Sequence, residues 1–99
     1  MTITLVVHLR AAAGQRDQLL PVVGAHAERS MRLEEGCLSF QVLVPEEEPD
    51  RVILLEVYRD GAALDAHRDS AHMAEYRTLT EQLVVERQIF HCRQAAGGP

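Results

Sequence analysis

Two histidines, His67 and His72, lie in the stretch from Glu34 to Tyr76, which reads EEGCLSFQVLVPEEEPDRVILLEVYRDGAALDAHRDSAHMAEY. A neutral imidazole titrates near neutrality and can take a proton from a weakly acidic hydroxyl. A phenol or guanidinium close by could then steady the oxyanion left behind. Glu56, Tyr58 and Tyr76 fall in the same stretch, with Glu56 on an otherwise apolar run. The tyrosines read as pocket wall, and Glu56 as a buried acid paired with an arginine such as Arg59 or Arg87. Metal binding is not expected, because the five-residue gap between the histidines is not the i, i+4 spacing of helical zinc sites and the sequence offers no evident third ligand. The competing reading is structural: His67 as a satisfied core histidine, His72 as a partner for a free carbonyl or a helix cap.

These groups need elements to hold them. Residues 2 to 10 are β-branched and apolar without a breaker, a strand covered on both faces that ends at the small-residue turn Ala11–Gly14. From Gln15 to Leu33, Leu19, Leu20, Val23, Ala27 and Met31 recur at helical spacing, with Pro21 as a possible bend. Gly36 is expected to end that helix in the left-handed conformation, and Cys37 to Val44 forms the next strand. The acidic run Glu46–Glu48 is a solvated turn before the strand Arg51–Arg59, whose Val52, Leu54, Glu56 and Tyr58 share one face. Ala62 to Leu83 is helical with a break near Asp69, where Ser70 can cap a new start. His67 extends the stripe of Ala63 and Leu64, and His72 opens that of Tyr76, Leu79 and Leu83, so both rings should face the sheet. Val84 to Cys92 is the last strand, and residues 95–99 form a frayed tail beyond a single domain of residues 1–94.

The order strand, helix, two strands, helix, strand predicts an α+β ferredoxin-like βαββαβ fold, a four-stranded antiparallel sheet with both helices on one face. The strands are apolar on their other face too, and no further element remains to cover it. A second copy is the simplest cover, which predicts a two-fold homodimer with His8 facing its interior.

Composition narrows the function. The chain has 99 residues and a formal charge of −5, and its ten basic residues are all arginines scattered along the sequence. That balance disfavours nucleic acid and anionic membranes as partners. The longest apolar run falls short of the roughly 18 residues that span a bilayer, and the start MTITLVVHLR lacks the pattern of a secretory leader, so a soluble, cytoplasmic protein is expected. Cys37 and Cys92 are expected as two buried thiols rather than a disulfide, while His26 and His91 carry no motif.

Glu34, Gly36-Cys37 and Phe40, then Glu56 to Asp60, then Ala63-Leu64, Ala66-His67, Ser70 and His72 follow the patterns E-x-G-C-x-x-F, E-x-W-x-D and A-L-x-A-H-x-x-S-x-H. In these residues the chain resembles the antibiotic biosynthesis monooxygenase family, small dimeric α/β-barrel proteins that include cofactor-independent quinol oxygenases. Tyr58 departs from the pattern by replacing its tryptophan, which keeps an aromatic face and adds a hydroxyl. The resemblance implies monooxygenation of a quinol or polycyclic phenol by molecular oxygen without metal, flavin or haem, with His67 or His72 as base and Tyr58, Tyr76, Glu56 and Phe40 contacting substrate. It disfavours haem degradation: members with that activity resemble this chain in strand order but carry an asparagine where Val7 stands, a tryptophan where His67 stands, and their haem ligand near Arg77. The same scaffold also serves keto-sugar isomerisation, which an arginine pair in the pocket would favour, and non-catalytic binding.

Overall fold

A computed structural model of the protein describes residues 1–98; Pro99, the end of the expected tail, lies outside the described residues. The elements are β1 (Ile3–Ala11), α1 (Arg16–Leu33), β2 (Cys37–Leu43), β3 (Arg51–Tyr58), α2 (Gly61–Arg68), α3 (Ala71–Thr80) and β4 (Val84–Cys92). The four strands form one antiparallel sheet in the order β2-β3-β1-β4, the expected ferredoxin-like arrangement. Among the described residues no helix is long and apolar enough to cross a membrane.

Register decides which side chains meet the helices. Leu5 pairs with Glu56, Val7 with Leu54 and Leu9 with Val52, so alternate residues of β1 and β3 line one buried face. The helices cover that face unevenly: α1 packs on β2 and α3, and α2 on β2 and β3. Beyond β1 the sheet is bare, and every residue of β4 after Val84 is exposed, Ile89 and Phe90 included. A recess under the helices therefore opens towards β4.

α1 runs unbroken through Pro21. Its buried stripe is Leu19, Val23, His26, Ala27 and Ser30, whereas Met31, expected in that stripe, is 45% exposed. Leu79 likewise stands outside the core at 47% exposure. Both residues sit on the shoulder of their helix, past the edge of the sheet contact.

Gly36 does not take the left-handed conformation expected of it. Its role is clearance: a Cβ there would lie 2.4 Å from the Cβ of Ala63, at the start of α2. Gly36→Ala is expected to destabilise the fold by about 1–3 kcal/mol, the usual scale of overpacking, with Ala63→Gly restoring most of the loss. Urea unfolding of the single and double variants measures both; an unchanged midpoint for the single variant contradicts the packing role.

The break in the second helical segment falls where expected. Asp60 caps α2 by accepting from the Ala63 N–H at 2.9 Å, and Ser70 caps α3 by accepting from the Met73 N–H at 3.2 Å. The Ser70 hydroxyl also donates to the His67 carbonyl at 2.7 Å, pinning the end of α2 to the start of α3. Both cysteines are free; Cys37 is buried as expected, but Cys92 is exposed because nothing covers β4. Burial pushes the Cys37 thiol up to about 11, which keeps it an unreactive thiol.

Candidate functional site

His67 lies in the last turn of α2 and is 2% exposed. Its Nδ1 is 2.8 Å from Oε2 of Glu34, the C-cap residue of α1, and His72 Nε2, from the first turn of α3, reaches the same oxygen at 2.5 Å. An ionised carboxylate can only accept, so both ring nitrogens donate to it. That fixes the tautomer of neutral His67 and leaves its Nε2 bare, 3.9 Å from Glu56 Oε1. Burial pulls the His67 pKa below its ordinary value, against the upward pull of Glu34, so the ring is neutral and able to accept a proton.

Glu56 is the reverse case. Burial, together with the charge of Glu34, raises its carboxyl to about 7, although the Tyr58 hydroxyl donates to it at 2.6 Å and favours the ionised form. Among the described residues Glu56 pairs with neither Arg59 nor Arg87: Arg59 lies near Asp60 at 3.6 Å, and Glu56 meets Tyr58 and His67. The register explains this, since Glu56 faces the core whereas Arg59 lies beyond the end of β3.

His67 and Glu56 open onto a cavity of about 240 Å³ between helices and sheet. Its apolar wall comes from Leu5, Val7, Leu54, Leu64, Met73 and Ile89. His26 and Tyr76 complete the wall, their rings stacked at 4.0 Å and 15°. Burial first, then the neighbouring imidazoles of His67 and His72, holds His26 down at about 3, and burial pushes the Tyr76 phenol up to about 12. His26 Nδ1 has no hydrogen-bond partner among the described residues, and the Tyr76 hydroxyl makes none of normal geometry there, although the Arg87 guanidinium lies close to it. Buried and unpaired polar atoms beside a cavity are groups that a bound molecule can satisfy.

Of the residues expected to form the site, His67, Glu56 and Tyr76 line this cavity; His72, Tyr58 and Phe40 do not. The α2–α3 break turns His72 towards Glu34 and an outer groove shared with Gly36, Ala66 and Ser70. Tyr58 is fully buried beneath Glu56, and Phe40 lies behind His26, edge to face at 5.6 Å. Two members were missed. Glu34 stands in the E-x-G-C pattern with no apparent partner in sequence, and His26 was signalled only by its place in the stripe of Val23 and Ser30. The fold also supplies the third donor that the spacing of the histidines did not reveal: ligand atoms of Glu34, His67 and His72 lie within 4.8 Å of one another. Two imidazoles and a carboxylate are a set that a first-row divalent ion accepts. As placed, however, Oε2 is the shared acceptor of two hydrogen bonds.

The profile of the antibiotic biosynthesis monooxygenase family matches residues 2–79. The chain belongs to that family. Solved structures agree with it in fold. A protein of Bacteroides thetaiotaomicron, itself only provisionally described as an antibiotic biosynthesis monooxygenase, superposes with a TM-score of 0.90 at 23% identity over 99% of this chain and 93% of its own. PA3566 of Pseudomonas aeruginosa gives 0.88 at 26% identity over 96% of this chain and 95% of its own, and Rv0793 of Mycobacterium tuberculosis 0.89 at 22% identity over the whole of both. No curated protein matches the chain. Within the family pattern Glu34, Glu56 and the His67–His72 segment are far apart in sequence, and the fold brings them together: both histidines hydrogen-bond Glu34, and His67 Nε2 lies 3.9 Å from Glu56.

Proposed function

We propose that this family member is a cofactor-independent monooxygenase acting on a quinol or polycyclic phenol, with His67 as the base. The observation that carries the reading is the bare Nε2 of a neutral, Glu34-anchored imidazole beside Glu56 on the wall of an apolar cavity. His67 takes the hydroxyl proton of the bound phenol, and the electron-rich phenolate passes one electron to oxygen. The resulting radical pair recombines with a C–O bond at a ring carbon that bears hydrogen, and the His67 imidazolium returns its proton to the peroxide. The O–O bond then breaks with loss of that carbon's hydrogen, leaving a ring carbonyl and one water. Leu54, Leu64 and Met73 keep bulk water from the intermediates. Glu34 positions the ring, and His72 supports Glu34.

The protein acts as a homodimer in this reading. Val6, Leu55, Val57 and Phe90 lie on the sheet face that carries no helix, and a second copy placed there would cover them. The second functional reading is keto-sugar isomerisation, favoured by Arg68, Arg77 and Arg87 around the cavity; the apolar wall opposes it, offering a sugar few hydroxyl partners. Turnover of chelator-treated protein under ¹⁸O₂ tests the monooxygenase. One labelled oxygen in the product supports it, and unlabelled product or none contradicts it.

A further inference from the structure

Ten arginines scattered through the sequence of an acidic chain converge unevenly in space: Arg68 of α2, Arg77 of α3 and Arg87 of β4 all border the cavity that holds His67. Among the described residues they have little counter-charge. Arg68 lies 3.9 Å from the exposed Asp65 and 3.3 Å from His91 Nε2, and Arg77 donates to the Arg68 carbonyl at 3.2 Å. Arg87 has no ion pair among those residues, though it stands near enough to Tyr76 to draw the phenol's pKa down against burial. The one acidic residue of the lining is Glu56, at the inner end beside Tyr58 and His67. The cavity is thus graded, with a proton acceptor and apolar walls inside and guanidinium groups on the other elements around it.

We propose that the substrate is an aromatic acid, its hydroxyl-bearing ring against Leu54, Leu64 and Met73 with the hydroxyl at His67, and its carboxylate held by Arg77 and Arg87 with Arg68 beside them. This rests on the reading of the cavity as a phenol site and adds the charge of the molecule that fills it. The planar fork of arginine matches a carboxylate with paired hydrogen bonds, and three guanidinium groups beside an apolar recess, of which only Arg68 has an ion pair among the described residues, with the exposed Asp65, repel a cation and favour an anion. The same charge would attract a sugar phosphate, but that ligand leaves the apolar wall unsatisfied.

Binding of 2-naphthol and of 6-hydroxy-2-naphthoate, which carries its hydroxyl and carboxylate at opposite ends of the ring, measured without oxygen at low salt, tests the proposal; the chain has no tryptophan, so the emission of the probes is read against a low background. The naphthoate is expected to bind about tenfold tighter, an advantage that shrinks with added salt, and the Arg77→Gln, Arg87→Gln double variant should bring the two probes within about twofold of each other. Equal binding of both probes by the native protein overturns the proposal and leaves the phenol site standing. An advantage retained in the double variant overturns it too, placing the acid elsewhere. Fructose 6-phosphate displacing the naphthoate at lower concentration than 2-naphthol does favours the isomerase and overturns it as well. Binding of neither probe defeats both the proposal and the reading it rests on.

Discussion

His67→Ala lowers turnover of the phenolic substrate by about 10²–10⁴-fold, the range typical for loss of a positioned general base. The effect falls on kcat more than on KM, because the bare Nε2 acts on the proton while Leu54, Leu64 and Tyr76 hold the ring. The variant still folds: Glu34 keeps the His72 hydrogen bond and Glu56 keeps that of Tyr58, so neither carboxylate is stranded. Circular dichroism and steady-state kinetics on the same preparation check both halves, and a folded variant with native turnover removes His67 from the chemistry. Glu34→Gln should fall between the two, since the amide retains the shape but can present its NH₂ to the ring and disturb the tautomer.

Protonation of His26 should cost the fold stability in acid. The ring is 2% exposed and stacked on Tyr76, and its folded pKa of about 3 lies below its ordinary 6.5. A depressed folded pKa gives stability that is whole above 6.5 and drains as pH falls towards 3, because the unfolded chain takes the proton first. Glu56 slopes the other way: raised from 4.5 to about 7, its contribution is whole below 4.5 and is lost as pH rises through 7. The two oppose each other between 4.5 and 6.5, and below that window His26 acts without the opposing slope. By pH 4 its share reaches roughly 2–3 kcal/mol. Glu56 gains stability over the same interval in both proteins, so urea unfolding at pH 7 and pH 4 should show the native protein losing that share relative to His26→Phe. Equal changes in both would mean that other groups carry the acid sensitivity.

The fold was largely legible because each element carried its own signal: the β-branched and apolar stretch of β1, alternation in β3, and the Ser70 cap at the helix break. The site was legible only in part, for a physical reason. Periodicity tells which face a residue occupies but not which neighbour the tertiary packing brings there. Glu56 was placed on the buried face but given an arginine partner, while Tyr58, two residues on and on the same face, is the group within reach. His72 and His67 were assigned to one pocket, but they meet at the same Glu34 oxygen and only His67 also lines the cavity, while His72 lies on the outer groove. His26 went unread because a histidine in a helix stripe looks like any other core position until Tyr76 is stacked upon it. The arginines looked scattered because their convergence spans α2, α3 and β4 and leaves no local trace.

The most direct test is oxygen uptake by chelator-treated native protein and His67→Ala, with hydroquinones and polycyclic phenols as substrates. The account predicts uptake that saturates with substrate in the native protein and falls towards the autoxidation rate in the folded variant. Uptake at the autoxidation rate in both, or equal saturable uptake in both, contradicts it.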